Sequence, residues 1–289
     1  MRPMRLYRHR TPDATFVGEL AAEPPPWRPF GSFVSDLKTH SHALEAFALG
    51  RFRAAYRAQA LGLLWPLANP TILMIVMSVF FGIVFPTRID AYPVFLILGL
   101  IPWHFLSHAW TDGTSCFLQH AEVIKRTGVP AWIVAFGSVL SHVLNLAFAT
   151  LSVLPLIAFY PDAFHVSFAL LLLIPVLVCL VALGQGLALG SAVFNVVFRD
   201  VGYIVNSALV VLFWATPIFY PMDRLGPLAQ KVMLLNPMAA VIQCIRDIVL
   251  KGAVPPPTVL GAAFVTCFSI LLLGSLVYQR FARVVADHV

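Results

Sequence analysis

Charged side chains are scarce in this sequence of 289 residues, and their scarcity indicates the class of protein. Asp, Glu, Lys and Arg make up 11% of the chain, whereas hydrophobic residues make up 60%. A soluble domain carries about 25% charged and about 45–50% apolar residues. The composition therefore excludes an ordinary soluble protein and predicts an integral membrane protein.

Motifs of enzyme chemistry are also missing. The sequence contains no GxxxxGK[ST] phosphate loop, no HExxH and no GxSxG. The four cysteines are dispersed and form no CxxC pair of the kind that indicates a zinc or redox site. We therefore expect no catalytic residue, no metal, no cofactor and no ATPase activity in this chain, and no nucleic-acid partner.

Long apolar segments dominate what is present. A membrane-spanning helix needs about 20 mostly apolar residues. Six segments qualify, and they lack the ten-residue alternation of a membrane barrel. The sequence thus predicts an all-α membrane protein with a six-helix domain over 63–283, whose spans lie at about 64–85, 93–110, 131–160, 166–194, 201–220 and 258–278.

The distribution of positive charge predicts the orientation of the chain. Of the 19 Lys and Arg residues, 14 lie on the side that holds both termini and 5 on the other side. Because positive loops favour the cytoplasm, we expect both termini there. Residues 1–34 are polar, rich in Arg and Pro, and without the apolar core of a signal peptide, which predicts a disordered cytoplasmic tail. Residues 284–289 predict a second, short tail.

Residues 35–62 predict a basic amphipathic helix in the inner membrane interface. Leu44 and Phe47 fall near helical spacing, and Arg51, Arg53 and Arg57 are interleaved with such apolar residues. Helices of this type lie in the interface, where arginine favours anionic headgroups. Membrane lipids are therefore expected partners, and both simple anchoring and an active role remain open.

Polar residues on the second predicted span and just beyond it repeat on one helical face. His104, His108 and Asp112 stand at i, i+4 and i+8, a spacing that could bind a metal or relay protons. A polar stripe that faces a wet cavity or another subunit is the favoured interpretation, because the sequence places no further pair of ligands. No carboxylate lies in the middle of a predicted span, which argues against an ion-coupled carrier.

Small residues recur on the fourth predicted span. Ala182, Gly186 and Gly190 stand four residues apart. This small-xxx-small pattern predicts close packing of two helices rather than a phosphate-binding loop.

Aromatic residues gather at the ends of the second and fifth spans. They are typical of an interfacial belt, but they could also stack against the apolar faces of sugar rings. In that second interpretation the lining of a transport pathway includes Trp103, Ser107, Trp110, Phe213 and Trp214.

A helical hairpin is predicted between the fifth and sixth spans, on the outer side. Asn236 is a good N-cap and Pro237 a good first helical residue, and Gly252 is a typical residue at a helix end. We expect two short helices that re-enter the outer leaflet. On the inner side, the charged segment 121–130 and the pair Arg199-Asp200 are either ordinary connectors or contact points for a cytoplasmic motor.

Five motifs, in order along residues 44–283, resemble the polysaccharide and polyol-phosphate export permeases. These are the membrane subunits of type-2 ABC exporters for O-antigen, capsule and teichoic acid. The motifs are RAQALGLLWPLANP at 57–70, YPVFLILGLIPW at 92–103, FRD at 198–200, WATPIFYP at 214–221 and LNPM at 235–238.

The resemblance implies a homodimer with a channel between its copies, in a bacterial inner membrane. A separate pair of ATPase subunits would hold ATP and Mg and dock below, and a lipid-linked glycan would move outward. The implied ATPase-coupling residues are Glu122, Val123, Ile124, Lys125, Arg126, Arg199 and Asp200. The implied outer gate comprises Pro217, Phe219, Tyr220, Asn236 and Pro237. A permease for drugs or lipids and a membrane-embedded transferase remain as alternatives.

Overall fold

Every regular element in the described part of the chain is helical. The structure is a computed structural model that describes residues 39–57, 59–83, 89–127 and 129–288. Its helices are α1 (Ser41–Tyr56), α2 (Trp65–Ile83), α3 (Tyr92–Gln119), α4 (Ala121–Thr127), α5 (Ala131–Thr150), α6 (Val153–Phe159), α7 (Leu173–Val197), α8 (Val201–Ala215), α9 (Pro227–Met233), α10 (Pro237–Leu250) and α11 (Pro257–His288). The all-α prediction is confirmed, whereas the predicted tail at 1–34 lies outside the described residues.

Five described helical segments are long and apolar enough to cross a membrane. They run over Gly62–Gly82, Tyr92–Gln119, Ala131–Phe159, Phe168–Val197 and Pro257–Val285. Helices α9 and α10 meet at a bend of 106°, and this bent pair would make a sixth span if it is counted as one. The chain is therefore a multi-pass membrane protein.

Three helices differ in extent from the predicted spans. Helix α8 ends at Ala215 rather than at 220, because Thr216 is extended and leads into Pro217. At a rise of 1.5 Å per residue its 15 residues cover about 22 Å, less than the apolar thickness of a bilayer. Helix α3 continues to Gln119 and therefore includes Asp112. Helix α11 continues to His288, through most of the predicted tail.

The centre of the bundle is α7, which packs between α3 and α11. Glycine allows both contacts: a Cβ atom on Gly186 would lie 2.5 Å from the carbonyl oxygen of Ile270, and one on Gly190 would lie 3.6 Å from the Cα atom of Gly274. On the other face, Gly113 of α3 meets Ala188. Close backbone approach of this kind maximises van der Waals contact between helices in a membrane. The small-residue prediction for α7 is confirmed.

Helix α1 lies against α5 at the end of the bundle where α3 and α7 finish. The ring of Phe47 packs on Gly137, where a Cβ atom would approach the ring to 2.5 Å. Beside it, Phe117, Val134 and Val193 form a buried apolar cluster. Because of this packing, one face of α1 contacts the bundle.

Candidate functional site

A polar network runs from the middle of α3 toward its C-terminal end and connects three helices. Asp112 accepts a hydrogen bond from Arg51 Nη2 of α1 at 3.0 Å, and its Oδ2 also lies 2.9 Å from His142 Nε2 of α5. The rings of His108 and His142 stack with their centroids 6.0 Å apart, and those of His104 and His108 do the same. The predicted polar stripe is thus joined by residues from α1 and α5.

Further hydrogen bonds extend the network at both ends. Tyr56 at the end of α1 donates to Asn145 Oδ1 at 2.8 Å, and Asn145 Nδ2 lies 3.3 Å from His142 Nδ1. At the other end, Arg51 Nη1 lies 2.8 Å from Nε2 of His120, which immediately precedes α4. Burial, and secondarily the neighbouring guanidinium, lower the pKa of His120. The network therefore links α1 directly to the beginning of α4.

The three arginines predicted to face lipid headgroups differ in their surroundings. Arg53 and Arg57 are exposed, as a headgroup contact requires. The guanidinium of Arg51 points into the protein instead, because it pairs with Asp112 and contacts His120. A charged side chain inside a membrane protein usually pairs in this way. Only Arg53 and Arg57 remain candidates for the lipid contact.

A half-open cavity of about 600 Å³ adjoins the network, between the end of α1, the beginning of α2, α3 and α5. His104, His108 and His142 line it, together with Trp65 and Asn69. Two residues of the predicted stripe, His104 and His108, thus face this cavity, whereas Asp112 is not part of its lining. Among the described residues, no group of three or more His, Cys, Asp or Glu is placed to hold a metal ion.

Aromatic side chains form a contiguous cluster where α8 ends. The ring centroids of Trp103 and Phe213 are 5.4 Å apart, and those of Trp214 and Phe219 are 5.3 Å apart. Trp103 is buried in this chain, whereas Trp214 is 59% exposed. A smaller cavity of about 210 Å³ lies between Trp214, Phe219 and neighbouring residues. The structure therefore brings together three of the predicted lining residues, Trp103, Phe213 and Trp214.

The other two predicted lining residues lie further along α3. The hydroxyl of Ser107 donates to the carbonyl of His104 at 3.1 Å within the helix. The buried indole Nε1 of Trp110 has no hydrogen-bond partner among the described residues. A buried Trp indole N–H usually has a hydrogen-bond partner. Trp110 departs from this pattern and carries an unused hydrogen-bond donor.

One of the predicted gate residues, Pro217, is bonded to a buried arginine. Arg246 of α10 donates to the carbonyls of Pro217 at 2.6 Å, Ile218 at 2.7 Å and Phe95 at 3.1 Å. Its guanidinium carbon also lies 3.4 Å from the centroid of the Phe95 ring. These bonds satisfy carbonyls of the loop after α8 that no helix satisfies. Arg246 therefore fixes that loop between α3 and α10.

A second bond joins the loop to the beginning of α10. Asn236 Nδ2 donates to Thr216 Oγ1 at 3.0 Å, while Asn236 Oδ1 accepts from the amide of Met238 at 3.0 Å. Asn236 is the N-cap and Pro237 the first residue of α10, as predicted. Gly252 has a φ of +59°, the left-handed conformation typical of a helix end. The cap geometry of the hairpin is confirmed.

Helix α10 is buried over all of Met238–Val249, including both of its charged residues. Asp247 accepts from Gln243 at 3.0 Å and pairs with Lys251 at 2.7 Å. The hydrogen bond to Asp247 is the main cause of the raised pKa of Lys251. Sequence reasoning missed Arg246 and Asp247 as structural centres. The sequence did contain a signal for them, namely two charged residues inside an apolar run, because such residues require buried partners.

The predicted coupling residues lie at the end of the bundle where α3 and α7 finish. Helix α4 presents Glu122, Lys125 and Arg126 to solvent, and the side chains of Glu122 and Arg126 pair at 3.5 Å. Val123 is exposed, while Ile124 packs on the apolar cluster. The pair Arg199-Asp200, between α7 and α8, is exposed as well. Both segments are therefore accessible to another protein.

Comparison with known proteins decides the family. The model of the ABC-2 type transporter family matches residues 43–250. The chain belongs to this family. Membership confirms the expectation of a transport subunit rather than an enzyme, and it implies an ABC ATPase as a partner.

Individual members of the family are similar over most of the chain. The O-antigen export system permease protein RfbA of Myxococcus xanthus is 29% identical over 252 residues, which cover 85% of this chain and 95% of the relative. RfbA of Klebsiella pneumoniae is 28% identical over 207 residues, covering 69% of this chain and 77% of the relative. The polysialic acid transport protein KpsM of Escherichia coli is 23% identical over 248 residues, covering 85% and 95% respectively.

Proposed function

We propose that this chain is the membrane subunit of an ATP-driven exporter that moves a lipid-linked polysaccharide from the cytoplasm to the outer side of a bacterial inner membrane. The observation that carries the proposal is the similarity to three polysaccharide export or transport proteins, two of which align over 95% of their own length. The positive charge supports an orientation with both termini in the cytoplasm.

Two copies of the chain form the channel. Helix α8 exposes Tyr203, Ile204 and Val211, and α2 exposes Ile72 and Val79. These apolar faces can pack against a second copy as well as against lipid. In such a dimer, the exposed Trp214 would line the channel between the two copies. Trp103 packs against Phe213, and Phe213 in turn packs against Trp214. Aromatic faces meet the C–H faces of sugars without holding a polymer at charged sites.

ATP and Mg are held by a separate pair of ATPase subunits that contact α4 and the Arg199-Asp200 turn. The exposed charges of Glu122, Lys125 and Arg126 support this contact. Ile124 packs on the bundle, so a push on α4 reaches α3 and α7 through the inner apolar cluster.

The hairpin of α9 and α10 re-enters the outer leaflet and gates the exit of the glycan. Its bend of 106° and the buried helix α10 support this placement, because non-helical backbone at membrane depth must be covered by protein. The gate is the loop that Arg246 and Asn236 hold, with Pro217, Phe219 and Tyr220 facing the aromatic cluster.

Deletion of the gene in its host tests the proposed function. We expect the surface polysaccharide to disappear while lipid-linked glycan accumulates in the cytoplasm, and a plasmid copy of the gene should restore both. The matched control is a deletion of the partner ATPase, which should give the same phenotype. Unchanged surface polysaccharide together with a new sensitivity to drugs would show a different cargo and refute the proposal.

A further inference from the structure

The cavity beside the polar network is distinct from the aromatic cluster proposed as the channel lining. Its volume of about 600 Å³ lies within the range of about 300–1,000 Å³ that small-molecule sites occupy. One wall comes from the run RAQALGLLWPLANP, through Gln59, Trp65 and Asn69. The opposite wall comes from α3 and α5. The motif that first indicated the family therefore forms a concave surface in this chain.

The lining of the cavity combines aromatic rings with neutral polar groups. Tyr56 and Trp65 contribute rings, Gln59 and Asn69 contribute amides, and His104 and His108 contribute imidazoles. Among the described lining residues there is no Asp, Glu, Lys or Arg. Arg51 and Asp112, the nearest charged pair of the network, neutralise each other at 3.0 Å. The rest of the lining is apolar, so the surface is suited to an uncharged ligand that presents both apolar faces and hydroxyl groups.

One polar atom in the lining has an unused bonding capacity. His104 Nε2 is buried and has no hydrogen-bond partner among the described residues. His142 differs, since both of its ring nitrogens lie within hydrogen-bond distance of Asp112 or Asn145. Native proteins rarely leave a buried polar atom unpaired, so a ligand hydroxyl at this place would complete the site.

We propose that this cavity binds a neutral sugar residue. The inference rests on the proposed function, since the exported glycan is the expected source of the sugar; a membrane glycolipid is a second source with the same chemistry. Trp65 and Tyr56 meet the C–H face of the ring, and Asn69 and His104 bond its hydroxyls. A phosphate group fits poorly because the lining offers it no fixed positive charge.

Protection of an introduced cysteine tests the site in the complete transporter. Gln59 lines the cavity and is exposed, whereas the native Cys116, Cys179, Cys244 and Cys267 are all buried. Gln59→Cys should therefore react with a maleimide over a low background. Val254→Cys, at an exposed position outside the cavity, is the matched control.

Three probes are added to nanodiscs that hold the transporter. Lipid-linked glycan extracted from cells that lack the ATPase should slow the labelling of Gln59→Cys severalfold and leave Val254→Cys unchanged. Protection by octyl glucoside as well would show that a single sugar headgroup suffices, as for a glycolipid. Stronger protection by octyl phosphate, no protection by either sugar probe, or spontaneous disulfide dimers through Gln59→Cys would overturn the proposal.

A pair of substitutions separates stacking from loss of structure. Trp65→Phe keeps an aromatic face and should retain the protection at Gln59→Cys, while Trp65→Ala should lose it although the transporter still assembles with its ATPase. Equal protection in both variants would overturn the stacking role. If gene deletion abolishes surface glycan but no sugar probe protects the cavity, the proposed function stands and this inference fails.

Discussion

Arg51 on the amphipathic helix α1 donates to the carboxylate of Asp112 on α3 at 3.0 Å, across 61 residues of sequence. The pair joins a helix predicted to lie in the interface to a helix predicted to cross the membrane. Because Arg51 also contacts His120, movement of α1 reaches both the polar network and the beginning of α4.

Replacing Arg51 by Met should destabilise the protein by about 1–2 kcal/mol. A charge-assisted hydrogen bond is lost, and the partial exposure of Asp112 moderates the cost. Arg53→Met, at an exposed position of the same helix, should change stability by less than about 0.5 kcal/mol. Thermal unfolding of the purified chain compares the two variants. A double-mutant cycle with Asp112→Asn should show coupling, and additive effects would contradict the pair.

The contact between Arg51 and His120 should weaken in mild acid. Burial and the nearby guanidinium lower the pKa of His120 from its ordinary value of 6.5, so folding favours the neutral imidazole. The contribution of the neutral His120 imidazole to the stability of the fold is complete above the ordinary pKa and is lost as the pH falls through the lowered pKa. Between pH 7 and pH 5 the unfolding temperature of the natural chain should fall further than that of His120→Gln. Parallel pH profiles for the two would refute this assignment.

Loss of Arg246 should be more damaging than loss of an exposed cation. Arg246→Met leaves the loop carbonyls of Pro217 and Ile218 without their donor, at a cost of about 3 kcal/mol or more. Arg246→Lys should retain only part of the stability lost in Arg246→Met, since an ammonium cannot reproduce the planar set of donors of a guanidinium. Lys231→Met, at an exposed site on α9, is the control. Unfolding in detergent measures stability, and equal losses for Arg246→Met and Lys231→Met would contradict the buried clamp.

The contact between α7 and α11 should not tolerate a methyl group. A Cβ atom on Gly274 would overlap the carbonyl of Gly186, so Gly274→Ala should cost about 1–3 kcal/mol through displaced backbone. Gly261→Ala lies on the same helix with nothing within 4 Å and should be neutral or slightly stabilising. Yield and unfolding temperature distinguish the two variants. Similar behaviour at both positions would mean that the helices are further apart.

Charge reversal on α4 should weaken ATPase binding without affecting the fold. Lys125 and Arg126 are exposed, so Lys125→Glu with Arg126→Glu should leave the unfolding temperature nearly unchanged. If both contact the partner, affinity should fall about tenfold or more. Lys231→Glu, on the predicted opposite side of the membrane, should bind normally. Co-purification of the ATPase is the measurement, and undiminished recovery with the double variant would count against α4 as the coupling helix.

The positions of the long helices could be predicted because they depend on local properties. Apolar length predicted the helices over 62–82, 131–159 and 168–197, since the backbone must satisfy its own hydrogen bonds within lipid. The cap at Asn236 and the helix end near Gly252 followed from side-chain geometry within a few residues. The sites could be predicted less well. The His104–Asp112 stripe was recognised, but its partners on α1 and α5 lie 30 to 61 residues away.

The sequence by itself determined the class of this protein, most of its helical spans and its family, because composition, apolar length and ordered motifs are properties of the chain. Only the tertiary structure decided that Arg51 faces the protein, that α10 is buried, that Arg246 holds the loop after α8 and that the run at 57–70 lines a cavity. The physical reason is that a charged side chain in an apolar environment takes whichever partner the packing supplies, and packing brings together residues far apart in the chain.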